Sequence, residues 1–278
     1  VRFHCLCWPA MLHAAGFKGP NQVFVHGFLT VNGEKMSKSK GTFIKARTYL
    51  NSLDPGALRY YYACKLNHTT AAIDLPLEDF LRRVTGALVG QITNLASRGA
   101  PLLHKRLDGR LGTMDARGRE LLGEFLARAD DVADCYESRR FSQVPVIVCT
   151  LADAANEYFD QARPWESIKQ TPEDTRQVLT SILNLFRVLA IYLQPVLPRY
   201  AAQVAELFGE TAYDWESVKT PVENVPIAAY RYLAQRIEEK QVQDMLKQSA
   251  DSLPGSAPAQ TSSPASPPVR NTIDIDTF

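Results

Sequence analysis

The 278-residue chain has almost no excess charge of either sign: 31 Lys and Arg stand against 30 Asp and Glu, for a net charge of +1. Bulk charge therefore does not mark it as a nucleic-acid binder, and any site for a polyanion has to come from a local cluster. Cysteine is also sparse. The five, at positions 5, 7, 64, 135 and 149, form no CxxC pair and no Cys/His zinc spacing, which argues against a metal site or a disulfide framework. Cys5 and Cys7 read as small core residues, and the odd count without a framework fits a reducing cytoplasm. No signal peptide is visible and no apolar run reaches membrane-spanning length, so no membrane partner is expected. No internal repeat is apparent. Hydrophobic residues make up 45%, enough for the core of two domains or of one domain with appendages.

What is there falls into a mixed stretch followed by a helical one. Residues 4–15 have helical apolar spacing and stop at Gly16. Val23-Phe24-Val25 and Phe28 to Val31 read as strands, the second closed by Asn32-Gly33, a two-residue hairpin signal. Asp54-Pro55 starts a helix by capping and first-turn Pro. Up to about residue 70 the pattern is the tail of an α/β domain. From Pro76 to Lys105 apolar residues recur in steps of three and four, and further helices are expected over about 115–138, 142–161, 172–193 and 196–208. With few strand signals, this half reads as an antiparallel α-helix bundle. Residues 211–228 are irregular, and Tyr230 to Gln248 reads as a final amphipathic helix. Ser252 to Pro268 holds five Pro, five Ser, no charge and no aromatic, the composition of a disordered linker.

The densest chemistry is Lys35-Met36-Ser37-Lys38-Ser39, followed by Lys40 and Gly41 just after the hairpin. Between Glu34 and Arg47 there are five basic residues and one acidic one. Such a segment can set ammonium groups around a triphosphate, although a solvated basic turn is the commoner use of lysines. Asn94 and Arg98, four apart, share one helix face, and Pro164-Trp165 follows a helix. Without context these are an exposed polar pair and an edge-of-core Trp, and Phe3-His4 is a buried aromatic with a satisfied His.

These segments, in this order, resemble one family. Lys-Met-Ser-Lys-Ser is the second signature of class I aminoacyl-tRNA synthetases. Its flanks, Phe28 to Gly33 and Gly41-Thr42-Phe43-Ile44, are similar to methionyl-tRNA synthetases, as are Phe3 to Ala10, Asn94 to Arg98 and Ala162-Arg163-Pro164-Trp165. Relatives charging leucine, isoleucine or valine usually carry Asn where Thr42 stands. The resemblance runs from Val1 to about Lys247. It implies ATP with Mg2+, methionine and tRNA(Met), including the initiator, as partners. Lys38 and Lys35 would be catalytic, with Lys35, Met36, Ser37, Lys38 and Ser39 on ATP. Phe3 and His4 would line the methionine pocket, with Trp8 supporting it and Cys7 where an aromatic is common. Asn94, Arg98 and Trp165 would read the anticodon.

The organisation this implies is mainly α. Residues 1–72 are the C-terminal remnant of a Rossmann-type catalytic domain, and 73–210 the anticodon-binding bundle. Residues 211–248 hold an irregular segment and a helix packing back on the core, 249–270 a disordered linker, and 271–278 the truncated start of a tRNA-binding barrel through which a parent could dimerise. Both ends read as cut. The family's His-x-Gly-His signature and its zinc insertion are not in this segment, so no metal is expected here and the isolated chain is expected to be inactive. The rivals are a non-catalytic tRNA-binding module and a sister synthetase for another aliphatic amino acid.

Overall fold

The architecture is organised around one helix buried on every side. The computed structural model describes residues 2–36 and 43–251. In it, α10 (Pro172–Leu193) opens with Pro at its first turn and Glu173 and Asp174 against the positive end of the helix dipole. From Leu179 to Leu193 every residue is buried. Contrary to the sequence expectation, α10 is long and apolar enough to cross a membrane by length and composition. Here protein takes the place of lipid around it.

The helices that cover it are α5 (Asn94–Leu107), α6 (Ala116–Leu126), α8 (Gln143–Ala162) and α11 (Pro198–Phe208). Leu77–Leu107 is one long helix. Its first turn is α4 (Leu77–Leu81), its middle winds wider as a π-helical stretch over Arg82–Thr93, and α5 completes it. α5 runs antiparallel to α10: Gly99 faces Leu179 and Leu183, while Arg176 donates to the carbonyls of Leu107 and Arg110. α8 turns back through the short α9 (Pro164–Ser167) and is also antiparallel to α10. α6 approaches so closely that a Cβ on Gly118 would overlap the Ser181 hydroxyl. The expected helix over 115–138 is instead α6 and α7 (Ala129–Glu137), broken at residues 127–128.

The polar residues buried on α10 fasten the loops. Asn184 receives the Val222 N–H and donates to its carbonyl. Arg187 is forked onto Glu210 at 2.5 and 2.6 Å, donates to the carbonyls of Ser217 and Thr220, and lies over the Tyr213 ring. The irregular stretch 211–228 is held by these bonds, with one 3-10 turn at Trp215–Lys219 closed by an Asp214/Ser217 capping box.

The first seventy residues have less of their own interior. A π-helical turn (Arg2–Cys7) leads into α1 (Trp8–Ala14). Val23-Phe24-Val25 is not a strand. It has no ladder partner among the described residues, and β-branching alone supplies none; the Phe24 ring sits under the Arg139 guanidinium instead. The hairpin is present as β1 (Leu29–Val31) and β2 (Glu34–Lys35), with Asn32 and Gly33 both at positive φ. β3 (Ile73–Asp74), which the sequence did not signal, pairs parallel to β1. It therefore belongs with the sheet and not with the bundle that was expected to begin at residue 73. Helices α2 (Ala46–Ser52) and α3 (Pro55–Ala63) complete this part, the latter capped by Asp54 accepting from the Gly56 N–H.

The last helix is shorter at its start and longer at its end than expected. Residues 230–238 are irregular, and α12 spans Glu239–Asp251. Tyr230, Leu233, Ala234 and Ile237 have helical spacing yet pack against the core from an open strap. Ser249, placed in the expected linker, is a buried helical residue. The linker residues from 252 on and the barrel residues lie outside the described ones.

Candidate functional site

The bundle offers one compact cation–aromatic cluster. α5 and α8 run side by side in the same direction: Gln91 donates to Asp153 and, seven residues on, Arg98 donates to Asp160, both at 2.8 Å. The Arg98 guanidinium lies 4.4 Å from the centroid of Phe159 and 5.1 Å from that of Trp165, and the two rings meet edge to face at 6.0 Å. Arg163, left-handed at φ 41, ends α8; Pro164 starts α9, and Trp165 is thrown out at the corner. Phe159 is buried whereas Trp165 is 42% exposed. Trp165 is thus packed against Phe159 and Arg98 and still presents ring surface to solvent. Asn94 lies one turn before Arg98 and is half-buried. Its side-chain oxygen is 3.5 Å from the Ser97 hydroxyl, and its amide nitrogen has no protein partner among the described residues.

The structure therefore gathers Asn94, Arg98 and Trp165 on one face. Phe159 and Asp160 complete the group and were missed in the sequence; an aromatic-acidic pair little more than one turn before Pro164 was the available signal. The Arg98–Asp160 pair is largely exposed, so it is worth about 1 kcal/mol or less. It orients the guanidinium more than it stabilises the fold, and an incoming phosphate or base can replace it at small cost.

The lysine segment is visible only at its ends. Lys35 is the exposed last residue of β2, and Met36 packs partly against the core. Ser37, Lys38 and Ser39 lie outside the described residues. The hairpin feeding the segment is held by Asp74, which accepts from the Thr30 hydroxyl at 2.7 Å and the Gly33 N–H at 2.8 Å. Burial works against the Asp74 charge, yet these hydrogen bonds and the nearby Lys65 hold its carboxyl below the usual range. Asp79 is the stronger hub. It receives Lys65 at 2.6 Å, Arg83 at 3.0 Å, Arg82, and the Tyr61 hydroxyl, which also reaches the Asp74 carbonyl. Burial again opposes ionisation, and the Lys65 ammonium with Arg83 and Arg82 overcomes it, depressing the Asp79 carboxyl well below its ordinary range. Arg82 and Arg83 are thereby engaged at the sheet–bundle junction.

Phe3 and His4 are not gathered into a pocket by the described residues. Both are exposed, Phe3 at 73%, and Leu6, Trp8 and Met11 on the same helical run are exposed too. The expected support from Trp8 is therefore not formed here: no other described element covers this apolar face.

Comparison with known proteins accounts for both halves. Residues 1–100 match the family model for class I tRNA synthetases (M), and residues 109–250 match the model for the anticodon binding domain of methionyl tRNA ligase. The chain belongs to the methionyl-tRNA ligase family. It is 52% identical over 248 residues to the methionine–tRNA ligase of Bdellovibrio bacteriovorus, a match covering 89% of this chain and 36% of that protein. It is also similar to the solved Mycobacterium tuberculosis methionyl-tRNA synthetase. The ligand-free form aligns with TM-score 0.71 at 22% identity over 85% of this chain, and a complex with methionyl-adenylate with TM-score 0.73 at 25% identity over 84%. The chain thus spans about a third of the curated relative it matches and 48% of the solved ones. The Arg98 cluster joins Asn94 and Arg98, inside the 1–100 match, to Phe159, Asp160 and Trp165, inside the 109–250 match.

Proposed function

We propose that this chain supplies the anticodon-reading bundle and the ATP-closing lysine segment of a cytoplasmic methionine–tRNA ligase. In that reaction the methionine carboxylate attacks the α-phosphorus of ATP, held as its Mg2+ complex, and pyrophosphate leaves. A hydroxyl at the 3′ end of tRNA(Met), initiator included, then takes the methionyl group and AMP leaves. Charge builds on the phosphate oxygens during the first step, and Lys38 with Lys35 is suited to stabilise it there more than in the ground state. Ser37, Met36 and Ser39 shape the segment, and Phe3 and His4 contribute to the methionine pocket. A homodimer through a C-terminal barrel remains part of the same reading.

The observation that supports the reading best is Trp165, half-exposed, packed on Phe159 and beside Arg98, with Asn94 one turn before Arg98 on the same helix face. An unpaired base can stack on such a ring while Asn94 and Arg98 address its edges. Stacking on an aromatic is worth about 1–3 kcal/mol per base. In the complete ligase, Trp165→Ala is expected to lower tRNA charging about tenfold or more while methionine-dependent pyrophosphate exchange stays normal. Unimpaired charging would overturn the assignment. Equal loss of both steps with a lower melting temperature would mark Trp165 as a core residue instead.

A further inference from the structure

A cleft of about 500 Å³ shares no lining residue with the lysine segment or with the Arg98 cluster. It is enclosed by the corner between α2 and α3, the long helix, the start of α11 and the strap that precedes α12. Its buried lining is apolar: Leu53, Ala57, Val84, Leu88, Leu197 and Tyr200. The Tyr200 hydroxyl is already taken up by Thr93 at 2.9 Å. A space of this size, apolar within and open at one side, is that of pockets which hold small organic ligands.

The exposed lining carries the charge. Arg59 of α3, Arg199 of α11 and Arg236 of the strap meet a single carboxylate in this cleft, Asp54, which is committed to the Gly56 N–H at 2.6 Å. Among the described residues none of the three arginines is in an ion pair. Arg59 is nevertheless held in place, donating to the carbonyls of Val196 at 2.7 Å and Pro195 at 3.3 Å. Three guanidinium groups against one carboxylate leave two positive charges. That matches a phosphate monoester at neutral pH, whose oxygens the planar guanidinium fork fits. Tyr232, 80% exposed, also lines the cleft, and a planar ligand body can stack on its ring. We propose that this cleft binds a small organic phosphate, with its apolar body on the buried lining and its phosphate between Arg59, Arg199 and Arg236. Neither the adenylation step nor the anticodon contacts described above use these residues. Such a ligand would touch α3, α11 and the strap at once, and so hold the strap down.

The test uses 1-naphthyl phosphate as the probe, titrated calorimetrically into the 278-residue chain at low salt. It is expected to bind at least about tenfold more tightly than 1-naphthol or inorganic phosphate, each of which lacks one half of the match. Arg199→Ala and Arg236→Ala, both at exposed positions, are each expected to weaken binding about tenfold and to leave the melting temperature of the free chain unchanged. On the unaltered chain the probe should slow amide hydrogen exchange in residues 230–238. Equal affinity for 1-naphthol would reduce the site to an apolar cleft, and equal affinity for inorganic phosphate would reduce it to a patch for adventitious ions; either result overturns the proposal. Unaltered affinity in both arginine variants does the same. Exchange slowed at residues 159–166 and not at 230–238 would put the probe on the Trp165 ring and refute the cleft. If an arginine variant unfolds, this exchange pattern on the unaltered chain decides.

Discussion

The bundle and the segment before the hairpin treat apolar side chains in opposite ways. In α10 fifteen successive residues are buried, whereas in the first 28 residues Phe3, Leu6, Met11, Phe17 and Phe28 are each more than 60% exposed. The two stretches have similar helical apolar spacing at their start, so the difference does not come from pattern. It comes from partners: α5, α6, α8 and α11 surround α10, and no described element covers α1. Stability is therefore concentrated in the bundle, and the N-terminal apolar face contributes little core among the described residues.

The sharpest way to break this comparison is at the buried charge pair of the bundle. Glu210→Ala leaves Arg187, only 3% exposed, without its counter-charge. Loss of about 3–5 kcal/mol in urea unfolding is expected, since an unpaired buried charge is costly. A loss below 1 kcal/mol would show that the bundle does not depend on this anchor. The junction between the two regions should respond less. Asp79→Asn removes the carboxylate shared by Lys65, Arg82 and Arg83, and a loss of about 1–3 kcal/mol at pH 7 is expected. The sign with pH follows from the depressed Asp79 carboxyl. Its contribution is complete above the ordinary carboxylate pKa of about 4 and fades as pH falls below that value. The stability gap between the two proteins, measured by denaturation from pH 7 downward, should narrow below about pH 4. The smallest effect belongs to the exposed face: Phe3→Ala should change the stability of the chain by less than about 0.5 kcal/mol. A larger loss would mean that this face is packed.

Much of the architecture was legible because its signals are local. The Asn32-Gly33 turn needs positive φ at two positions, Asp54-Pro55 caps a helix from within three residues, and the three-and-four spacing marks α8 and α10. The cation–aromatic cluster was legible in part. Asn94 and Arg98 share a face by helix geometry alone, but Phe159 and Asp160 join them only because α8 lies parallel to α5, which no local pattern encodes.

The same division separates the errors. Val23 to Val25 has strand composition and no partner, while Ile73-Asp74, two residues long, becomes a strand because β1 offers a free edge. Tyr230 to Ile237 has helical spacing yet forms an open strap, and Tyr230, Leu233, Ala234 and Ile237 pack against the core from it. Composition and short-range chemistry thus set the long helices, the hairpin and the Asp54 cap. Long-range packing chose which apolar faces are covered and which short segments pair. The reason is physical: caps and turns are satisfied within a few residues, whereas burial and ladder bonds need a partner whose distance along the chain is unconstrained.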